Sequence, residues 1–384
     1  MRLTLIGLLL IMMTLLSGCW SLNEAERMLY IHAIGIDYKD NQYEIYAQII
    51  NFANVAKSDT PRSEIEQAEV GFATGNTIED AIFNLYRSTD ERVSWGHLTF
   101  IIFSEEALKD QRMNAAIDVF TRFIETRYRI LLYSTQDPVK DVLLTVPIIN
   151  TAINLSKLGD PANSYQQESF IEPVDMRRLL IGLNEPNHEM AIPLISVINN
   201  WESAKGIKKI PMLSGVSLIT PDDYKGFIAG KEVNGLQWMN NDTKRGEISF
   251  LVDENDKNSL VSVTLSKVRV EVKPIVEKET VRFDIKVSMD ATPNSVPYKV
   301  KTEVLIKGLE EAIKREIKVT YKEALDRDVD IYRLSEHVYR KNNMTWKKFQ
   351  KDGKIELTED SIRTLDVDIR KFKAGRKSLS DTFK

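Results

Sequence analysis

The chain has 384 residues, of which 43% are hydrophobic and 28% charged, and its formal net charge is −4. That length holds two or three domains, the composition is that of a soluble globular body, and the acidic balance argues against a nucleic-acid partner. Cys19 is the only cysteine, so no disulfide can form within the chain and packed cores must supply its stability.

The chain opens Met1-Arg2, followed by the uncharged apolar run Leu3 to Leu16. A bilayer-spanning helix needs roughly 20 apolar residues, so this run fits the apolar middle of an export signal better than a membrane span. Leu16-Ser17-Gly18-Cys19 then places two small residues before the lone cysteine, which resembles the lipobox of bacterial lipoproteins. The alternatives are an ordinary secretory signal with an incidental cysteine, or an uncleaved anchor. The lipobox reading makes residues 1–18 a removed signal peptide. Cys19 becomes an S-diacylglycerol, N-acylated first residue, and residues 19–27 are the lipidated tether. Two or more acyl chains then hold the body to the extracytoplasmic face of a membrane.

Strands are expected at Leu29 to Ile36 and Tyr43 to Phe52, joined at Lys39-Asp40-Asn41 as a hairpin. Residues 55–69 read as a polar loop. Thr77 and Asp80 are spaced as a capping box, and Ile78, Ala81, Ile82, Leu85 and Tyr86 make one apolar helix face. His97 to Phe103 reads as a buried strand, Met113 to Ile124 as a helix and Arg129 to Ser134 as a strand. This alternation implies a mixed sheet with helices packed on it. A further helical piece is expected within Pro138 to Leu158, and one amphipathic helix at Val174 to Ile181.

A domain boundary is placed between Pro186 and Lys209, giving α+β domains at 28–197 and 208–377. The second half is expected to open with strands at Leu213 to Thr220, Lys225 to Ala229 and Gly246 to Leu251. Val268, Val270 and Val272 share a strand face, and so do Val281, Phe283, Ile285, Val287 and Met289 in the next strand. A long helix spans Glu303 to Leu325 with Leu305, Leu309, Ile313 and Ile317 at four-residue steps, so it should pack on those two strands. A shorter helix at Asp330 to Arg340 and a last strand through Leu365, Val367 and Ile369 complete the reading. The fold class expected is α+β, with mixed sheets and packed helices in two to three domains.

In order and spacing behind the lipobox, these segments resemble the Ger(x)C spore germination lipoproteins, the C subunits of germinant receptors. The match includes Gly18-Cys19-Trp20, Ala33-Ile34-Gly35-Ile36-Asp37, Gly75-Asn76-Thr77 with Ala81, Gly96-His97-Leu98 and Arg122-Phe123. It continues with Gly215-Val216, Gly226-Phe227, Gly235-Leu236-Gln237-Trp238, Lys244-Arg245-Gly246, Asp330-Ile331 and Trp346-Lys347-Lys348. It departs at Asn342-Asn343-Met344-Thr345, where many relatives carry a proline, and at Ser21, where an acidic residue is usual. The resemblance implies an α+β protein with no known catalytic activity on the outer face of the spore's inner membrane. It also implies two membrane partners, a larger A subunit and a polytopic, transporter-like B subunit to which germinant binding is ascribed.

The residues offer no catalytic constellation of their own. His32, His97, His188 and His337 do not pair at helical spacing, and neither a nucleophile elbow nor a phosphate-binding loop occurs, so no catalytic residue, metal or cofactor is expected. His97 reads as a strand-start histidine or, alternatively, a general base. Asp222-Asp223 and Glu310-Glu311 read as solvated pairs, and Gly226, Gly235 and Gly246 as turn positions needing positive φ. Trp238 and Trp346 are core residues or interface anchors. Arg370 to Lys377 carries five cations and is either a solvated end or a membrane contact. Three functions compete: a non-enzymatic receptor subunit acting as scaffold or coupler, a solute-binding lipoprotein that captures a germinant itself, and a tethered cell-wall hydrolase. The first predicts docking to A and B subunits and to the bilayer, without a germinant pocket.

Overall fold

The computed structural model of the protein describes residues 28–50, 68–122, 125–150, 152–204, 206–277, 280–295 and 300–373. Cys19 and the tether lie outside these residues, as does the basic segment beyond Lys373.

Strand β1 (Met28–Lys39) and strand β2 (Gln42–Ile50) form the expected antiparallel hairpin. Asp40 and Asn41 turn it with φ of 50° and 62°, the left-handed pair whose twist suits a two-residue hairpin. Strand β3 (Ala68–Gly75) adds to β2, although the sequence shows no strand there. It is an edge strand with a half-exposed Phe72 and with Gly71 against Leu85, so it lacks the alternating apolar pattern that marks a strand. Helix α1 (Ile78–Tyr86) follows as expected. The Thr77 hydroxyl accepts the Asp80 N–H at 3.1 Å, and the Asp80 carboxylate accepts the Asn76 N–H at 3.1 Å.

Strand β4 (Arg92–Ser94) flanks the start of β1, and strand β5 (Phe100–Ser104) runs parallel to it, buried along its whole length. His97 is exposed, stacking edge-on against Tyr30, so the strand begins three residues later than the apolar run suggests. The short helix α2 (Glu105–Leu108) and helix α3 (Arg112–Arg122) lead to strand β6 (Leu131–Thr135), parallel to β5. Between β6 and the next strand come helix α4 (Val139–Leu143), two 3-10 turns, helix α5 (Pro161–Gln167) and helix α6 (Met176–Asn184).

Strands β7 (Met190–Ser203), β8 (Gly206–Ile219) and β9 (Tyr224–Ala229) then extend the same sheet, giving the order β3-β2-β1-β5-β6-β7-β8-β9 with β4 beside β1. The sequence shows no β7, because Pro193 argues against a central strand. Strand β6 pairs with β7 only at Leu194 and Ile195, just beyond that proline. Strands β8 and β9 were read as opening the second half. Hydrogen bonding places them in the first sheet, which therefore runs on to residue 229.

Both faces of this sheet are covered, which is why β1 and β5 read as continuous apolar runs. On one face Ile34 and Ile36 meet α1, α3 and α6. On the other, Ala33 and Gly35 leave room for α4, whose Val139 Cγ1 would lie 2.0 Å from a Cβ at Gly35. That approach gives the glycine of Ala33-Ile34-Gly35-Ile36-Asp37 its reason.

After the short helix α7 (Gly235–Trp238), strands β10 (Arg245–Leu251), β11 (Leu260–Glu277) and β12 (Thr280–Ser295) form a second sheet, closed by β15 (Ile362–Phe372) parallel to β12. A bulge centred on Lys267, at φ 55°, shifts β11 by one residue. Val261, Val263 and Leu265 face the core before it, and Val268 and Val272 after it. Helix α8 (Thr302–Leu325) packs on this sheet through Leu305, Leu309, Ile313 and Ile317, as expected. Helix α9 (Leu334–Lys341), helix α10 (Asn343–Phe349) and the small hairpin β13 (Gln350–Lys351)–β14 (Lys354–Ile355) complete an α+β protein of mixed sheets.

Candidate functional site

The residues singled out by sequence mostly have structural roles. His32 is buried, with Nδ1 2.9 Å from Gln48 Oε1, and burial pushes its imidazole down toward the neutral form. His188 Nδ1 lies 2.8 Å from the Leu183 carbonyl. Asp223 closes its own turn with Thr220, and Glu311 pairs with Lys314 on the surface of α8. Among the described residues no cluster of His, Cys, Asp and Glu could hold a metal, and no helix is long and apolar enough to cross a membrane.

Of the three glycines assigned to turns, only Gly226 has positive φ, at 94°. Gly235 and Gly246 permit close approach instead. A Cβ at Gly235 would lie 2.5 Å from Tyr332 Oη and 2.6 Å from the Glu316 carbonyl. One at Gly246 would lie 2.7 Å from the Trp238 ring. The segment Gly235-Leu236-Gln237-Trp238 is therefore a joint pressed onto α8. Trp238 Nε1 donates to Glu316 Oε2 at 2.5 Å, Asn234 Nδ2 donates to Glu316 Oε1 at 2.9 Å, and the Gly235 N–H donates to Thr320 Oγ1 at 2.9 Å. Burial pushes the Glu316 carboxyl up, and the two donors oppose that shift. Trp238 and Trp346 both lie in the core around α8, not at an exposed anchor.

The two bodies meet along a seam centred on Asp330 and Glu189. Helix α9 begins after Arg333, which sits at φ 53°, later than the sequence suggests. Asp330 stands ahead of it as a buried cap, accepting the N–H groups of Leu334 at 2.9 Å and Ser335 at 2.7 Å. Its own N–H donates to Glu189 Oε2 at 2.6 Å, just before β7. Glu189 Oε1 meets Lys354 Nζ at 3.1 Å, and Arg333 donates to the Glu189 carbonyl at 2.6 Å. Burial pushes both carboxyls up. Glu189 reaches about 7 despite the opposing pull of Lys354 and the Asp330 N–H, and Asp330 shifts in the same direction. An apolar cluster including Ile171, Val216, Ile228, Ala324 and Val329 runs beside these groups and belongs to both bodies.

Along this seam opens a cleft of about 410 Å³. Three arginines line it, and each already meets a carboxylate. Arg178 Nη2 donates to Glu172 at 2.7 Å, Arg333 Nε donates to Glu336 at 2.5 Å, and Arg340 pairs with Glu185 at 3.2 Å and with Glu336. An anionic or zwitterionic ligand would have to displace these internal partners.

A second hollow, about 590 Å³, lies on the α4 side of the first sheet between the 145–168 segment and strands β7 and β8. Its wall is mainly apolar, and Leu155, Trp201 and Met212 on its rim are exposed. Sequence reasoning missed this surface, because its residues come from loops and from a strand not seen in the sequence.

Comparison with known proteins fits this architecture. Residues 22–197 match the family model described as spore germination protein N-terminal domain, and residues 214–370 match the one described as spore germination B3/GerAC like, C-terminal. Spore germination protein KC of Bacillus subtilis (strain 168) is 23% identical over 372 residues, 89% of this chain and 88% of that protein. Spore germination protein B3 of the same organism is 22% identical over 367 residues, covering 88% and 89%. The crystal structure of the GerBC protein superposes with a TM-score of 0.55 at 18% identity, over 89% of this chain and 96% of that one, which confirms the α+β fold. The chain belongs to the Ger(x)C family of spore germination proteins.

Proposed function

We propose that the protein is a non-enzymatic, lipid-anchored subunit of a spore germinant receptor that acts as a scaffold or coupler. In this reading Cys19 carries the lipid, and the body docks to integral A and B subunits outside the spore's inner membrane. The observation that supports it is the seam. A receptor that captures a solute between two bodies needs unsatisfied polar groups in the cleft and bodies free to close. Here the arginines Arg178, Arg333 and Arg340 are matched by carboxylates, and a shared apolar cluster joins the bodies. A tether also raises the effective concentration of the body near membrane partners, so modest surface contacts suffice.

Titration calorimetry of the purified mature protein against amino acids, sugars and nucleosides tests this. The expected result is no saturable heat, while deletion of the protein silences its receptor and leaves other germination routes active. Micromolar binding of a germinant by the isolated protein would transfer the sensing role to this chain and favour the solute-binding alternative.

A further inference from the structure

The β7–β8 hairpin carries apolar side chains where a folded surface ordinarily carries polar ones. Trp201 is 46% exposed, Ile207 is 71% exposed, and both stand near the hairpin tip. Register assigns their directions. Trp201 pairs with Lys208, and Glu202 pairs with Ile207. Directly paired residues share a face of a ribbon, so Trp201 and Ile207 project from opposite faces. Close by, Ile148 lines the hollow that Trp201 also lines, while Ile149 turns outward, 88% exposed at φ 58°. A β-branched residue held in the left-handed region is strained, and such strain persists only where the surroundings impose it.

We propose that this tip enters the headgroup region of a lipid bilayer. A protein groove covers one face of a ribbon, whereas a bilayer surrounds a tip and covers both. Tryptophan suits that depth, with an apolar ring and one polar N–H. The charges agree with an anionic surface: residues 201–209 carry three lysines against one glutamate. Lys208, on the Trp201 face, has no carboxylate partner among the described residues, whereas Lys209 is held by Asp141 at 3.0 Å. Reach agrees as well. Eight residues lie between Cys19 and the start of β1 at Met28, and those nine steps span up to about 30 Å. Parallel pairing of β1, β5, β6 and β7 sends the tip toward the end of the sheet opposite Met28, so tip and tether meet one bilayer with the sheet lying along it, which that length of chain allows. The inference rests on the lipid-anchor reading for its orientation, but the tip contact itself does not require the acyl chains.

The test uses the lipidated mature protein in phosphatidylcholine–phosphatidylglycerol vesicles. An Ile207→Cys substitution adds the only free thiol if Cys19 is acylated, and it is labelled with an environment-sensitive dye. The label is expected to shift blue on vesicle binding and to be quenched by doxyl lipids, while the same dye at Val276→Cys, on the far hairpin of the second sheet, stays unquenched. The Trp201→Ser/Ile207→Ser pair should weaken partition of the unlipidated Cys19→Ser protein into anionic vesicles by roughly tenfold or more. An Ile207 label that remains water-exposed on vesicles overturns the proposal. So does one that becomes buried only when integral receptor subunits are added, since the tip then docks to protein. If mass spectrometry shows no acyl group on Cys19, the anchor reading fails by itself, and the vesicle partition of that chain still decides the fate of the tip.

Discussion

Glu189 Oε2 accepts the backbone N–H of Asp330 at 2.6 Å, tying the residue before β7 to the cap of α9 across the seam. The contact joins residues far apart in sequence and far from water, so its strength depends on how burial and ionisation compete.

The first prediction concerns pH. Burial raises the Glu189 carboxyl from 4.5 to about 7, so the folded state holds a proton that the unfolded chain has lost between those values. Its contribution to stability is fully present below about 4.5 and is lost as pH rises through about 7, up to about 3 kcal/mol in all. Asp330 shifts with the same sign. Thermal melts from pH 5 to 8 should show the melting temperature falling, and Glu189→Gln should flatten that slope. An equally steep slope in the variant would assign the pH dependence to other groups.

Gly235→Ala should be severe for so small a change. The new methyl meets Tyr332 Oη, the Glu316 carbonyl and Thr320 Oγ1 at once, and two of these belong to the helix α8. Overpacking of this kind costs about 1–3 kcal/mol. Gly230→Ala meets no atom within 4 Å and serves as a control, limited to the cost of its φ of 64°. Urea denaturation of both variants ranks the two effects, and equal midpoints would contradict the close-approach account.

Ile313→Ala removes a fully buried side chain from the face of α8 that covers the second sheet. Such truncations cost about 2–5 kcal/mol. The denaturation midpoint should fall accordingly, and an unchanged midpoint would mean that this face does not carry the core.

Cys19→Ala tests the anchor. The variant should remain unprocessed or appear in the soluble fraction, without the acyl mass found on the parent. Normal acylation and membrane retention of the variant would place the lipid on another residue.

The parts of the fold that were legible are those whose cause is local. The Thr77 cap, the four-residue steps of α8 and the alternation in β12 are each written within a few residues, so sequence by itself determined the existence and the apolar face of these elements. The order of segments along the chain likewise sufficed to identify the family. Tertiary structure alone decided the rest. Strands β8 and β9 follow β7 as antiparallel hairpins, and β7 joins the first sheet by pairing Leu194 and Ile195 with Ser134 and Thr135, a link between remote segments that leaves no periodic signal. Gly226 and Gly235 look alike as letters, yet one answers a positive φ and the other the approach of α8. Asp330 looks like a helical surface residue and is a buried cap. The physical reason is common to all three. Burial, charge matching and backbone approach are set by what lies on the other side of a contact, and that side is supplied by chain remote in sequence or by a helix end the local pattern does not mark.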